Sequence, residues 1–222
     1  DKRPLTEQRT EAAQTVFGQK PGGKRGAFDY SNANYILAGA AMERLMGAPW
    51  EDLMRAHVFG PLGMASAGFG APKGPNAPSG HRATWMGFGG LQAVPADELA
   101  DNPPALGPAG TMHMNLEDYA KFLRVFFAGY AGGFLSADSV ARLTKPADGA
   151  DRSYALGWIT QKSLPFAKGA WLAHEGSNTM WHAFTAVSVE RQRAVVAVCN
   201  AHQGGGDKAA QGLGFDLIKV IN

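Results

Sequence analysis

Two short runs place residues capable of chemistry at the ends of regular elements. Tyr30-Ser31-Asn32 stands at the mouth of a helical segment containing Asn34-Tyr35-Ile36-Leu37, and His174-Glu175-Gly176-Ser177 closes a strand-like run. A phenol and an imidazole can both move protons, the imidazole titrating near pH ~6.5. Other motifs fail on spacing. His174-Glu175 opens like the helical zinc-protease motif, but its closing position is Asn178, so no second histidine shares a helix face. Gly204-Gly205-Gly206 lacks the Gly-Lys-Ser/Thr ending of a phosphate loop and reads as a linker. No serine lies in a Gly-x-Ser-x-Gly elbow. Cys199 is alone and ends an apolar run, which reads as a buried structural thiol. His182 and His202 are not at ligand spacing, so neither a metal nor a cofactor is called for.

The elements that must hold these residues fall into three stretches. Leu5 to Phe17 reads as a short helix stopped by Gly18 and Pro21-Gly22-Gly23. A stronger helix begins at Ser31-Asn32, both good cap types, carries Tyr35, Ile36, Ala40 and Leu45 on its core face, and stops at Gly47. Pro49 opens another, with Glu51 and Asp52 where the helix dipole favours anions, and Pro61-Leu62-Gly63 ends it. Residues from about Ala65 to Thr111 show no period and crowd glycine and proline. So long a loop is normally functional or disordered. Phe69, Trp85, Met86, Phe88 and Leu91 favour an ordered wall around a site.

Beyond it, Asn115 with Asp118 starts a capped helix running to about Gly129, and Ser136 starts a shorter one to Leu143. The period then changes. Tyr154 to Ile159, Ala170 to His174, Ala183 to Val189 and Ala194 to Val198 read as strands, with Glu190 to Arg193 as a polar hairpin connection. Lys208 to Ile221 is a closing helix. Helices, an antiparallel meander and a final helix make an α+β plan. It divides into residues 1–150, a helical lobe with the long loop, and residues 151–222, the sheet with its helix, as two parts of one catalytic domain. The closing helix can cover only part of one sheet face, so a companion segment adding strands and a helix is expected.

Charge and composition exclude several classes. The 222 residues carry 21 Lys+Arg against 19 Asp+Glu, a formal charge of +2, with no basic run of the kind nucleic-acid binding needs. No apolar run approaches the ~18–20 residues of a membrane span. Asp1-Lys2-Arg3-Pro4 has no signal-peptide character, so any leader would lie outside this chain.

Taken in order, Tyr30-Ser31-Asn32, Pro61-Leu62-Gly63-Met64 and His174-Glu175-Gly176-Ser177 resemble the serine β-lactamase and penicillin-binding-protein superfamily, in particular its class C-like branch with D-alanyl-D-alanine peptidases and esterases. Pro108 to Leu123 and Tyr154 to Trp158 are similar to further stretches of that family, and the resemblance runs from about Phe28 onward. It implies an antiparallel sheet flanked by helices with a helical lobe, and acyl transfer to water through an acyl-serine on a small ester, amide or lactam. It implies that Tyr30 shuttles a proton, that Asn32 holds the acyl amide or carbonyl, and that His174-Glu175-Gly176 occupies the substrate strand. The Ser177 N–H becomes one oxyanion donor, and Gly176 lets that strand approach the substrate closely. A periplasmic or secreted location follows from resemblance only.

Two departures stand out. The family nucleophile is the serine of Ser-x-x-Lys, yet Ser31, Ser66, Ser79, Ser136, Ser139, Ser153, Ser163, Ser177 and Ser188 all lack a lysine at the third following position. In the family this motif precedes the Tyr-Ser-Asn motif. The expectation is therefore a C-terminal portion whose N-terminal strands and nucleophile helix lie in a companion segment, with the chain inactive alone. A non-catalytic acyl-binding homologue and a plain interaction module remain alternatives. The second departure is Glu175, where the family has a hydroxyl donor to a substrate carboxylate. An ionised glutamate accepts only, which favours neutral or cationic substrates, unless it points elsewhere and pairs with an arginine. With His174 in place of a permanently charged lysine, an activity inflection between roughly pH 5.5 and 7.5 is expected.

Overall fold

The computed structural model describes residues 1–24, 27–84, 90–97, 100–130, 132–146 and 153–222. Helix α1 spans Leu5–Phe17 and α2 spans Asn32–Met46. Ser31 caps α2, its hydroxyl accepting the Ala33 N–H at 3.2 Å, and Gly47 ends it in the left-handed region at φ +66°, where a side chain would be strained. Helix α3 (Trp50–Met54) runs on to the expected end at Pro61-Leu62-Gly63. A π-helical turn over Arg55–Phe59 carries it into α4 (Gly60–Leu62), because widening the turn absorbs the proline, and Gly63 at φ +64° ends the run.

Arg9 staples this lobe. Its fully buried guanidinium bridges Glu43 on α2 and Glu51 on α3 at 2.6 and 2.8 Å. Gly39 lets α2 close on the short helix α5 (Gly107–Gly110), since a Cβ there would meet the Pro108 ring at 2.4 Å.

The aperiodic stretch holds more structure than its sequence shows. Strand β1 (Gly68–Phe69) pairs with β4 (Met112–His113), β2 (His81–Ala83) pairs with β3 (Leu91–Ala93), and a 3-10 turn covers Pro104–Leu106. Its described part packs onto one end of the main sheet. His81 N–H donates to the Met180 carbonyl at 3.1 Å, and Asn178 donates to Asp101 at 2.7 Å. Leu91 is 41% exposed, so it anchors the stretch less than expected, and Trp85, Met86 and Phe88 lie outside the described residues.

Helices α6 (Leu116–Arg124) and α7 (Ala137–Thr144) begin at Asn115 and Ser136, whose side chains accept the Asp118 and Ser139 amides. Helix α6 ends short of Gly129 and gives way to turns. The five-stranded antiparallel sheet runs β5 (Tyr154–Ala155), β6 (Trp158–Gln161), β7 (Trp171–Ser177), β8 (His182–Ser188), β9 (Arg193–Cys199) in chain order. The single strand expected from Tyr154 to Ile159 is instead a tight hairpin. Leu156 at φ +37° and Gly157 at φ +105° reverse the chain, and the glycine admits that turn. Helix α8 (Gly206–Ile221) covers one face of the sheet through Phe184, Ala186, Val195, Ala197 and Ile218. The other face packs Leu172, Val187 and Trp158 against Leu123, Val125 and Phe126. Both faces are thus covered within this chain, so coverage gives no ground for a companion. Cys199 is partly exposed rather than buried, because its strand ends at the sheet margin.

Candidate active site

The fold brings the two ends of the sequence pattern together. Tyr30, in the extended approach to α2, is 56% exposed, and its ring centroid lies 6.3 Å from that of His174 on β7. Tyr154 of β5 completes a triangle with them, its ring centroid 6.1 Å from each. Its hydroxyl is 3.1 Å from His174 Nε2, and its ring meets Tyr30 edge-on at 6.1 Å. Phe28 packs on the far side of Tyr154 at 5.1 Å.

Alternation along β7 decides which side chains share this cluster. His174 shares a face with Leu172, whereas Glu175 turns to the α8 face. There its carboxylate accepts from Gln211 at 2.8 Å and lies 3.2 Å from His182 Nε2. The partners expected for an outward-turned Glu175 were arginines; they are a glutamine and a histidine. His182 in turn contacts His202 through their Nδ1 atoms at 3.3 Å.

Strand β7 also offers a free edge. Strand β6 pairs with it only at Trp171, Leu172 and Ala173, so among the described residues His174 to Ser177 are paired on the β8 side alone. Gly176 is exposed, and a Cβ there would meet nothing within 4 Å, so open space borders it. The Ser177 hydroxyl is occupied by the hairpin turn, donating to the Trp181 carbonyl at 2.8 Å and accepting the Thr179 N–H at 3.0 Å. Asn32 is exposed in the first turn of α2, two residues beyond Tyr30. A paired strand exhausts its backbone groups; this free edge leaves N–H and C=O groups for an extended ligand.

The site is electrically quiet. Burial pushes the His174 imidazole below its ordinary value, against an opposing pull from the Glu175 main chain and carboxylate. Burial also pushes the Tyr154 phenol up, reinforced by Tyr35 and Tyr30. Both rings are therefore uncharged at neutral pH. Tyr154 and Tyr35 were missed as site residues. Tyr35 fits the core face of its helix, and nothing in local spacing distinguishes a strand tyrosine that packs from one that hydrogen-bonds a histidine.

A family model described as Beta-lactamase matches residues 3–214. The chain belongs to the β-lactamase family. Among similar proteins, an unguisins hydrolase of Aspergillus campestris is 26% identical over 177 residues, which cover 75% of this chain and 30% of that protein. The crystal structure of SurE superposes with a TM-score of 0.75 at 21% identity, covering 96% of this chain and 50% of that one. A D-stereospecific amidohydrolase from Streptomyces gives 0.70 at 18% identity, covering 91% and 59%. This β-lactamase-family chain thus spans about half the length of these solved structures and under a third of the curated relative. Among the described residues, no helix is long and apolar enough to cross a membrane.

Proposed function

We propose that this chain forms the tyrosine–histidine wall and substrate strand of an acyl-transfer hydrolase, working on a small amide, ester or lactam. The observation that carries the reading is the meeting of Tyr30 and His174 beside the unpaired edge of β7. In this reading a serine from a Ser-x-x-Lys segment outside this sequence attacks the carbonyl. Tyr30 passes the serine proton to the leaving group, and water later reverses the roles. Asn32 at the helix mouth holds the acyl amide, and the Ser177 N–H at the strand end donates to the oxyanion. Gly176 keeps the strand edge clear. Glu175 contributes its main chain only, so discrimination against a carboxylate-bearing substrate falls instead to the uncharged His174. The amidohydrolase among the similar structures supports an amide substrate.

Strand β9 supports the companion segment. Among the described residues it is paired by β8 alone along seven residues, with Val198 52% exposed. An apolar edge of that length invites another strand.

The test is the full-length protein assayed with a chromogenic ester and an amide. Tyr30→Phe should lower kcat by about 10²–10⁴-fold, as loss of a positioned proton-transfer group does. Near-native kcat in that variant would reduce Tyr30 to an aromatic at the helix mouth and remove the assignment.

A further inference from the structure

The proposed site leaves one partly buried phenol without a role. Tyr154 sits on the short strand β5, next to the strained turn at Leu156, and its hydroxyl is committed on both sides. On one side it meets His174 Nε2 at 3.1 Å; on the other it hydrogen-bonds Tyr35 of α2. Gly157, at φ +105°, turns the hairpin beside that junction, a Cβ there standing 3.4 Å from the Tyr35 hydroxyl.

The His174 ring also hydrogen-bonds the Glu175 main chain. With Nε2 taken by Tyr154, that bond belongs to Nδ1. An N–H at Nδ1 donates to the carbonyl, which leaves Nε2 as an acceptor for the Tyr154 O–H. Tyr154 can donate there because burial, reinforced by Tyr35 and Tyr30, keeps its phenol protonated. The bonds then run in one direction, from Tyr154 through His174 to the Glu175 carbonyl.

We propose that Tyr154 is the positioning residue of this site, fixing the tautomer and plane of the His174 imidazole. The proposal rests on the acyl-transfer reading for its purpose and on geometry for its substance. A freely rotating imidazole would present either nitrogen to the cleft. Here the ring is held from both ends, so it presents one face to Tyr30 and carries no charge beside the free strand edge. The groups bearing on its titration are Tyr154 from β5, Tyr30 before α2, Tyr35 behind Tyr154, and Glu175 on its own strand. A donor to Nε2 favours the neutral ring, so removing it makes the ring easier to protonate.

The experiment is 15N NMR of histidine-labelled protein, with the His174 signals assigned by their loss in His174→Gln. In the parent protein the Nδ1–H tautomer should dominate. In Tyr154→Phe, which keeps the ring and loses the hydroxyl, the tautomer ratio should move toward an even mixture. The protonation midpoint of His174 should also rise by about half a pH unit or more, the scale of one net hydrogen bond. Tyr35→Phe, which removes a competing acceptor for the Tyr154 O–H, should leave the Nδ1–H tautomer dominant and should not raise the midpoint. In the full-length protein, the acid limb of kcat/KM should rise with the NMR midpoint, and kcat should fall about 10–100-fold, the scale for partners that orient a working histidine. If Tyr154→Phe leaves the His174 tautomer and midpoint unchanged, the proposal is overturned, whatever the activity shows. If the NMR changes occur but no acyl transfer is found, the positioning role stands and the proposed function falls.

Discussion

Arg9 offers a severe test of how the helical lobe is held under the site. Its side chain is 0% exposed and makes four charge-assisted bonds: to Glu43 Oε1 at 3.1 and 2.6 Å, and to Glu51 Oε1 and Oε2 at 3.0 and 2.8 Å. Glu43 Oε1 also accepts the Trp50 N–H at 2.9 Å, while Glu43 Oε2 is buried without a partner. The Arg9→Met substitution keeps much of the apolar stem and leaves two carboxylates facing each other out of water. Summing four charge-assisted bonds would overstate the loss, because the charges were desolvated to make them. Breaking a buried pair by removing one partner costs about 3–5 kcal/mol, a large share of a stability of ~5–15 kcal/mol. Urea unfolding at pH 7 should show that loss as a lower midpoint. The deficit should shrink toward pH 5, since repulsion and burial raise the stranded carboxylates' affinity for protons, so the folded variant binds protons that its unfolded chain does not. Adding Glu43→Gln should restore part of it. A loss under ~1 kcal/mol, or one independent of pH, would refute the claim that this triad fastens α1 to the helix that Tyr30 precedes.

Other expectations concern the sheet and the site. Gly214→Ala should destabilise by about 1–3 kcal/mol, because its Cβ would stand 2.2 Å from the Phe184 ring beneath α8. Gly212→Ala on the same helix, with nothing within 4 Å, should stabilise by up to ~1 kcal/mol, and paired thermal melts compare the two. The Asp118 carboxyl is drawn down to about 2 by hydrogen bonds from Lys121 and from the Ser66 hydroxyl and amide. Its stabilisation is therefore present above the ordinary carboxylate range and lost as pH falls toward that value; acid unfolding of Asp118→Asn should lack this component. Because burial lowers the His174 pKa, the acid limb of kcat/KM in the full-length protein should fall below the ordinary imidazole value of ~6.5, with activity lost as pH drops through it. An inflection above pH 7 would contradict a buried neutral His174.

Local chemistry was readable in the sequence and long-range chemistry was not. Ser31, Gly47, Asn115 and Ser136 mark helix ends because caps satisfy backbone groups within a few residues. The β8–β9 hairpin was legible for a similar reason, since β-branched runs flank a polar turn. The hairpin at Leu156-Gly157 was not, because a continuous apolar run hides a turn that one glycine permits. The stop at Pro61-Leu62-Gly63 was legible, since Gly63 takes the left-handed region that ends the run. The Arg9 triad joins residues 34 and 42 positions apart, and no periodicity announces such a pairing. The Tyr154–His174 bond links strands whose register is set by the whole sheet, so only the fold reveals it. Glu175 was located by strand alternation once the face of His174 was known.

The central claim is that these residues serve a nucleophile they do not contain. It is tested most directly by treating the full-length protein with a fluorophosphonate or a penicillin, then mapping the covalent adduct by mass spectrometry. The account predicts one adduct per molecule, on a serine followed at the third position by lysine and lying outside these 222 residues, with none on this chain expressed alone. An adduct on Ser31, Ser177 or any other serine of this chain, or no adduct on the full-length protein, would contradict it.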